Sequence, residues 1–391
     1  MTKRLLFHYP VLNMGGAERS SLRMMRRLAD RGWKITLVLT TGGGALEPLV
    51  DPRVRIVRLR PYAAGATFKA ARGLRDTLAA LPDLVAYGIA RIIGGLRATL
   101  LWRHRFTAAV TLLQGADTRL IFRTRSERRF HWIRNDLAHL DDKRRIVDRI
   151  ARADAGLDGY ICVSRAARDS LVASLPCTAD KAHVVHNLVD ASDMREQSQR
   201  EGDPFPDRRG EEHRIVTVCR LSDTAKALFR LADICAALRD EGHVFRWFVL
   251  GDGPDKERLR ARIEALDLKD ILILPGRTQN PFPWYMHADL VAMVSYFEGL
   301  SGVINEAKII GAPVLATRVS GVDEQLIHGV SGWIVDNTRD AIFEGLERLL
   351  ADPDTLAKLR TVGLAPAILD DEAKLDALEA LFLGTSGKAV T

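Results

Sequence analysis

Short apolar runs alternate along this chain with longer stretches whose apolar residues recur every three or four positions. The first pattern fits buried parallel strands, and the second fits helices that cover a sheet. In the first half, Arg4–His8, Lys34–Thr40, Val54–Leu59, Ala108–Leu113, Phe130–Ile133, Gly159–Val163 and His183–Val185 read as strands. Between the first two, Ala17–Asp30 puts Leu22, Met25 and Leu28 on one helical face. Residues 191–213 are polar, contain Pro and Gly, and read as a linker. The rhythm then restarts, with strands expected at Ile215–Cys219, Arg246–Leu250, Ile271–Leu274, Leu290–Val294, Val314–Thr317 and Gly332–Val335. The tail from Asp354 to Leu383 reads as helical. The expected architecture is α/β, two Rossmann-like domains with parallel sheets facing across a cleft. They span residues 1–190 and 214–365, and residues 366–391 form a C-terminal helix and tail packing back on the first domain.

A length of 391 residues suits two such domains, and 47% hydrophobic with 27% charged residues is ordinary for a globular chain. The four cysteines form no C-x2-C pair and read as small buried hydrophobes. The first residues, MTKRLLFHYP, read as a strand and not as a secretory signal. The longest apolar stretch, Leu84 to Trp102, is interrupted by Arg91 and Arg97, so no spanning helix is expected.

Charge changes this picture. Residues 1–190 carry 33 Lys and Arg against 17 Asp and Glu, while residues 191–391 carry 24 against 33. The basic half therefore suits a polyanion, anionic lipid or nucleic acid. The region from Ala66 to Arg105 reads as mostly helical and holds arginines at 72, 75, 91, 97, 103 and 105. A second basic run includes Arg119, Arg123, Arg125, Arg128 and Arg129, but no nucleic-acid signature accompanies it. The expectation is peripheral contact with an anionic membrane at the cytoplasmic face, and no nucleic-acid partner.

The strongest chemical signal is Glu298-Gly-Leu-Ser-Gly-Val-Ile-Asn-Glu306, after an expected strand and across an expected helix start. Gly299, Ser301 and Gly302 would leave backbone N–H groups open at a helix N-terminus, a seat for a phosphate. The two carboxylates beside it suit sugar hydroxyls. Upstream, Arg220 and Lys226 follow a strand and present two cations suited to a diphosphate. Gly251-Asp-Gly253-Pro254 and Gly276-Arg277 are further strand–glycine turns, and Gly15-Gly16 joins the first strand to the first helix. Asp352-Pro-Asp354 has the form of a D-x-D metal motif, but it sits at a helix start where Asp caps, so no metal is expected.

In order and spacing these pieces resemble family 4 of retaining glycosyltransferases with the GT-B fold, over nearly the whole chain. GGAER, VCRLSDTAK, VLGDGP, GRTQNPFPWYMHADL and SYFEGLSGVINEAKIIGAPVLAT carry the resemblance, with Cys219 where the family usually has glycine. The subgroup it is most similar to builds lipopolysaccharide and other cell-surface glycans. The resemblance implies a nucleotide-sugar donor, with UDP expected, a glycan or lipid-linked acceptor, and no cofactor. It implies that Arg220 and Lys226 hold the diphosphate, Glu298 the donor sugar, Glu306 the ribose, and that Gly16 approaches from the other domain. The donor-binding set is then Gly15, Gly16, Arg220, Lys226, Gly251, Arg277, Glu298, Gly299, Leu300, Ser301, Gly302 and Glu306. The catalytic candidates are Glu298, Arg220, Lys226 and Arg134. Many relatives place a histidine near the donor sugar. Here the corresponding stretch reads Ile133-Arg134-Asn135-Asp136, with His131 just upstream as the alternative or as a core residue. An arginine there can bond sugar or phosphate but cannot act as a base. A nucleotide-sugar epimerase and a basic nucleic-acid-binding protein are the competing readings.

Overall fold

A computed structural model describes residues 3–13, 15–61, 80–140 and 142–385. The chain forms two compact units, residues 1–163 with 167–188 and 372–391, and residues 164–166 with 189–371. Arg72 and Arg75, and the first part of the helical stretch expected from Ala66, lie outside the described residues.

Unit 1 is built on a seven-stranded sheet in the order β3-β2-β1-β4-β5-β6-β7. The strands are β1 (Arg4–Tyr9), β2 (Lys34–Gly42), β3 (Arg55–Pro61), β4 (Arg105–Thr111), β5 (Arg125–Ile133), β6 (Gly159–Cys162) and β7 (Ala182–Val184). All pairings are parallel. Helices α1 (Gly16–Asp30), α2 (Leu81–Leu100) and α3 (Lys143–Ala153) belong to the crossovers. Strand β6 is buried at every position, as an interior parallel strand requires, whereas edge strand β3 carries Arg55, Arg58 and Arg60.

The C-terminal helix, Asp371–Leu383, returns to this unit from Glu372 onward. Phe382 packs edge-on to Phe7, Trp33 and Phe130 at ring separations of 6.3, 6.0 and 5.9 Å. Arg31 pairs with Asp376 at 2.6 Å and with Glu372, and the Trp33 indole donates to Glu379. The aromatic contacts add about 0.5–1.5 kcal/mol each beyond area burial and dominate over the exposed ion pairs.

Three arginines of the second basic run make contacts within unit 1. The run enters β5, which starts five residues before the expected strand start. Arg119 binds Asp117, Arg129 donates to the Ile121 and Thr124 carbonyls, and Arg125 lies 5.2 Å over the Trp102 ring.

Unit 2 has a six-stranded parallel sheet in the order β10-β9-β8-β11-β12-β13. Its strands are β8 (His213–Val218), β9 (Phe245–Leu250), β10 (Leu272–Gly276), β11 (Leu290–Met293), β12 (Val314–Thr317) and β13 (Trp333–Val335). Its main helices are α4 (Ala191–Gln199), α5 (Leu228–Asp240), α6 (Gly302–Ile310), α7 (Arg339–Leu350) and α8 (Pro353–Thr361).

The segment read as a linker is not one. Residues 191–199 form α4 with Met194 buried, and Phe205 packs on Phe248 and Trp284 at 4.9 and 4.7 Å. Glu212 is buried against Arg246, and Asp203 pairs with Arg214 at 2.7 Å. Its largest apolar side chains are packed, and two of its carboxylates, Asp203 and Glu212, meet buried arginines, which a hydrophobicity pattern does not register. Order reverses between β8 and β11, so the loops after these two strands flank the topological switch point where ligands of such sheets bind.

Candidate active site

Two loops meet at that switch point. The loop after β8 carries Arg220, which is exposed, and ends in a single helical turn, Asp223–Lys226. Ala227 follows in the left-handed region at φ 53°, turning the chain sharply into α5. The loop after β11 carries Ser295 and Glu298 and leads into α6. The Lys226 ammonium donates to Glu298 Oε1 at 2.5 Å, and the Ser295 hydroxyl donates to the same oxygen at 2.8 Å. Burial works against the Lys226 charge. The Glu298 carboxylate outweighs it by charge and hydrogen bond, and holds the ammonium above the ordinary lysine range. Two residues assigned from sequence to different parts of a donor are thus one ion pair.

Neighbouring bonds fix both loops. The Tyr296 amide donates to the Ala225 carbonyl at 2.9 Å. Arg230 donates to the Val294 carbonyl at 2.7 Å and to Asn337 Oδ1 at 2.8 Å, with its guanidinium 4.3 Å over the Tyr296 ring. The Gly251–Pro254 turn laces onto the Arg220 loop: Leu221 donates to the Asp252 carbonyl and accepts from the Asp255 amide, both at 3.0 Å. Gly251 has φ 150°, and a Cβ there would stand 1.8 Å from the Cys219 carbonyl oxygen. Its glycine is required by loop-to-loop packing, so close approach of a ligand is not needed to explain it. Burial pushes the Cys219 thiol up to about 12, which keeps it neutral beside the pair.

The phosphate seat differs in detail from expectation. Ser301 is the residue before α6, but its amide donates to Gln325 Oε1 at 3.1 Å, and Gln325 Nε2 returns bonds to the Ser301 carbonyl at 2.7 Å and Asn305 Oδ1 at 2.6 Å. Ser301 therefore does not offer its N–H. The first backbone bond of the helix runs from the Asn305 amide to the Ser301 carbonyl, which leaves the amides of Gly302, Val303 and Ile304 without intrahelical acceptors. Gly302 is exposed, whereas Gly299 and Leu300 are buried; a Cβ on Gly321 would stand 2.6 Å from the Gly299 carbonyl oxygen. Glu306, one turn into α6, accepts a 3.2 Å bond from the buried Tyr285 hydroxyl. Arg277 is exposed after edge strand β10, with β9 and β8 between it and β11.

Sequence reading missed Ser295, Gln325, Tyr285 and the Arg230–Asn337 bracket. Tyr285 lay inside a quoted motif, but nothing in spacing alone joins Gln325 to Ser301.

Gly15, Gly16 and Arg134 belong to unit 1. Gly16 opens α1, is exposed, and would hold a Cβ with no neighbour within 4 Å. Gly15 precedes it as the capping residue, and a Cβ there would strike the Glu18 carboxylate. Arg134 is turned inward. It is buried, and each guanidinium nitrogen donates within the unit: to the Leu112 carbonyl at 2.9 Å, Asn187 Oδ1 at 3.0 Å and Ser21 Oγ at 2.9 Å. A catalytic role for it does not fit this geometry. His131 is a core residue, fully buried, whose Nε2 donates to the Leu113 carbonyl at 2.9 Å. In unit 2, Asp352 caps α8 through the Thr355 amide and hydroxyl, at 2.9 and 2.7 Å.

Solved structures with this architecture include HepE of Anabaena in complex with UDP and glucose, at TM-score 0.71, 17% identity and 97% coverage of each chain. Another is a TarM variant of S. aureus in complex with fondaparinux, α-GlcNAc-glycerol and UDP, at TM-score 0.73 and 12% identity, covering 98% of this chain and all of that one. At such identities the likeness establishes the GT-B fold. In sequence, the chain is 33% identical over 157 residues to the WcaL protein of Salmonella typhimurium, named for glycosyl transfer in colanic acid biosynthesis. That match spans only 38% of either chain. It is 25% identical over 258 residues to an N-acetylgalactosaminyltransferase of Campylobacter jejuni that is named for a diphospho-undecaprenol-linked acceptor, covering 66% of this chain and 67% of that one. Two family models match: Glycosyltransferase Family 4 over residues 14–193 and Glycosyl transferases group 1 over residues 212–352. The second holds the Lys226–Glu298 pair, the two together cover most of the chain, and the protein belongs to the family 4, group 1 glycosyltransferases of GT-B fold.

Proposed function

We propose that the chain transfers a sugar from a UDP-sugar to a glycan or lipid-linked acceptor in the assembly of a cell-surface polysaccharide, with retention at the anomeric carbon. The observation that carries this reading is the Lys226–Glu298 pair at the switch point of unit 2, at the mouth of a helix whose first amides are open. A departing UDP needs its charge neutralised as the glycosidic bond breaks. Arg220, Lys226 and the N-terminus of α6 supply that charge, and Lys226 and the helix N-terminus are already oriented before the donor arrives. Glu298 accepts from the donor sugar's hydroxyls while keeping Lys226 charged and in place. Glu306, steadied by Tyr285, accepts from the ribose hydroxyls. Gly302 lets backbone approach the diphosphate, and Arg277 borders the base. No metal is assigned a part. The UDP-bound HepE and TarM structures and the lipid-linked acceptor in the name of the Campylobacter relative support the choice of donor and acceptor. The proposed setting is the cytoplasmic face of the membrane.

A panel of nucleotide sugars tests the reading by thermal stabilisation and slow hydrolysis. UDP-sugars are expected to stabilise the protein and to be hydrolysed, with the product's anomer matching the donor's. A response confined to another nucleotide, or an inverted product, overturns that part.

A further inference from the structure

The sequence pointed to the membrane through charge alone; the structure adds an apolar surface. Eight of the sixteen exposed large hydrophobic residues among the described residues lie between Leu81 and Trp102. They are Leu81, Val85, Ile89, Ile92, Ile93, Leu96, Leu100 and Trp102, each 43–68% exposed. At about 100° per residue, the seven aliphatic ones fall within an arc of about 120° on α2.

The opposite face is spoken for. Gly94 and Ala98 are the buried residues of α2. Gly94 sits so close to edge strand β3 that a Cβ would stand 2.6 Å from the Leu59 carbonyl oxygen. Arg97 donates to the Arg58 carbonyl at 2.8 Å, and Arg60 donates to the Tyr87 hydroxyl at 2.8 Å. Exposed Arg97 borders the apolar arc, Arg91 is exposed nearer the β3 side with its guanidinium 6.0 Å over the Tyr87 ring, and Trp102, Arg103 and Arg105 stand exposed at the C-terminal end. Asp83 is the one acidic residue on the helix.

We propose that α2 is an interfacial membrane helix, lying in the plane of an anionic bilayer with its aliphatic arc among the acyl chains and its arginines at the headgroups. The helix is long and apolar enough to span. A span, however, would strip Gly94, Arg97 and Tyr87 from β3 and carry Arg91 and Arg97 into hydrocarbon. Lying flat keeps every contact with β3 and covers only the face left exposed among the described residues. The arrangement has the three parts such binding needs: an apolar face, cations beside it and an interfacial tryptophan. Flanking cations choose an anionic lipid surface over a second copy of the chain, whose like charges would meet. This inference goes beyond the transfer chemistry and does not depend on it.

The test is flotation of the full chain with two kinds of vesicle, phosphatidylcholine alone and phosphatidylcholine with a large fraction of phosphatidylglycerol. The wild type is expected to float with the anionic vesicles and to keep part of that binding in high salt, since the apolar contact is not screened. A variant carrying Val85→Gln, Ile89→Gln, Ile92→Gln and Leu96→Gln should lose binding at least tenfold at either salt. A variant carrying Arg91→Gln and Arg103→Gln should lose mainly the preference for anionic vesicles. Thermal stabilisation by UDP, read on each variant without lipid, reports the folded donor site separately. Three results overturn the proposal: flotation of the glutamine variant equal to wild type, no flotation of wild type, or resistance of the membrane-bound protein to alkaline carbonate. A lipid-free wild-type dimer that the glutamine substitutions render monomeric would assign the stripe to self-association and also overturns it.

Discussion

The two units share one plan, a parallel sheet with crossover helices, yet they use their polar residues in opposite ways. In unit 2 the polar groups at the switch point are carried on loops, partly open, and paired across loops, as with Lys226 and Glu298. In unit 1 the polar groups near the strand ends are drawn inside. Arg134 is bonded to its own unit through all three guanidinium nitrogens. His8, Thr111 and His131 stand in register on β1, β4 and β5, buried in a row. His8 Nδ1, Thr111 Oγ1 and His131 Nδ1 have no partner atom there. The difference separates two kinds of polar residue that look alike in sequence, those held ready for a ligand and those that hold a domain together.

The largest expected effect tests the interior of unit 1. Burial lowers both His8 and His131 from 6.5 to about 4, with Asp117 opposing this for His8 and the Leu113 bond opposing it for His131. The unfolded chain takes up protons below pH 6.5 that the folded imidazoles refuse until about pH 4. Their contribution is therefore fully present above pH 6.5 and is lost as pH falls toward 4, on the order of 3 kcal/mol per histidine. Thermal melts and peptide-resolved hydrogen exchange between pH 7 and pH 4 should show unit 1 loosening. The double variant His8→Gln, His131→Gln should start less stable but respond far less to pH. A wild-type profile that is flat over this range would mean that the row is not neutral and buried as described.

The next effect belongs to unit 2. Lys226→Met and Glu298→Gln are each expected to lower kcat/KM about tenfold to over a hundredfold, from the loss of a charge-assisted contact worth about 1.5–3 kcal/mol. Because each residue orients the other, the double variant should be little worse than the poorer single one. Strictly additive losses would show that the ion pair is not the working unit.

Two arginines sharpen the contrast directly. Arg134→Ala removes the donor to the Leu112 carbonyl and one of two donors to Asn187 Oδ1, which keeps Ser20, and should cost about 1–3 kcal/mol of stability, seen in the melt, while the folded fraction still binds UDP. Arg220→Ala should do the reverse, leaving the melting temperature unchanged and weakening UDP binding about tenfold or more. Equal melting losses in both would erase the distinction between the units.

Much of this was legible before any coordinates. Every expected strand has a counterpart, because interior parallel strands such as Gly159–Cys162 and Leu290–Met293 must be apolar on both faces. Arg220, Lys226 and Glu298 could be read as loop residues after strands because a strand end followed by a cation or a carboxylate is a local pattern, whereas the pairing of Lys226 with Glu298 could not. Arg134 was misread for the same reason: its position at a strand end is local, but its three acceptors come from residues 22 to 113 positions away. Gln325 and Ser301 meet across 24 positions and two elements, and no periodicity records that. The 191–213 segment was read as a linker because a hydrophobicity pattern weighs neither a lone Phe205 nor charges that find buried partners.

The smallest expected effect probes how finely unit 2 divides its labour. Tyr285 is buried, and its hydroxyl donates to the Glu306 carboxylate from below the site. If Glu306 accepts from the ribose, Tyr285→Phe removes one of its fixed donors and frees the carboxylate to turn. A single bond of this kind contributes about 0.5–1.5 kcal/mol, so UDP affinity by calorimetry should fall by no more than about tenfold. Glu306→Gln should weaken UDP and UDP-sugar alike, because the ribose is common to both. Glu298→Gln should impair turnover more than it weakens free UDP, because its proposed partner is the sugar and it reaches the diphosphate only through Lys226. The two glutamates lie eight positions apart on one loop and helix, so a general disturbance of α6 would lower UDP affinity in both variants equally. The Tyr285→Phe variant decides between these outcomes. Loss of UDP affinity without loss of turnover at saturating donor places Glu306 on the nucleotide, whereas loss of turnover alone moves it to the sugar.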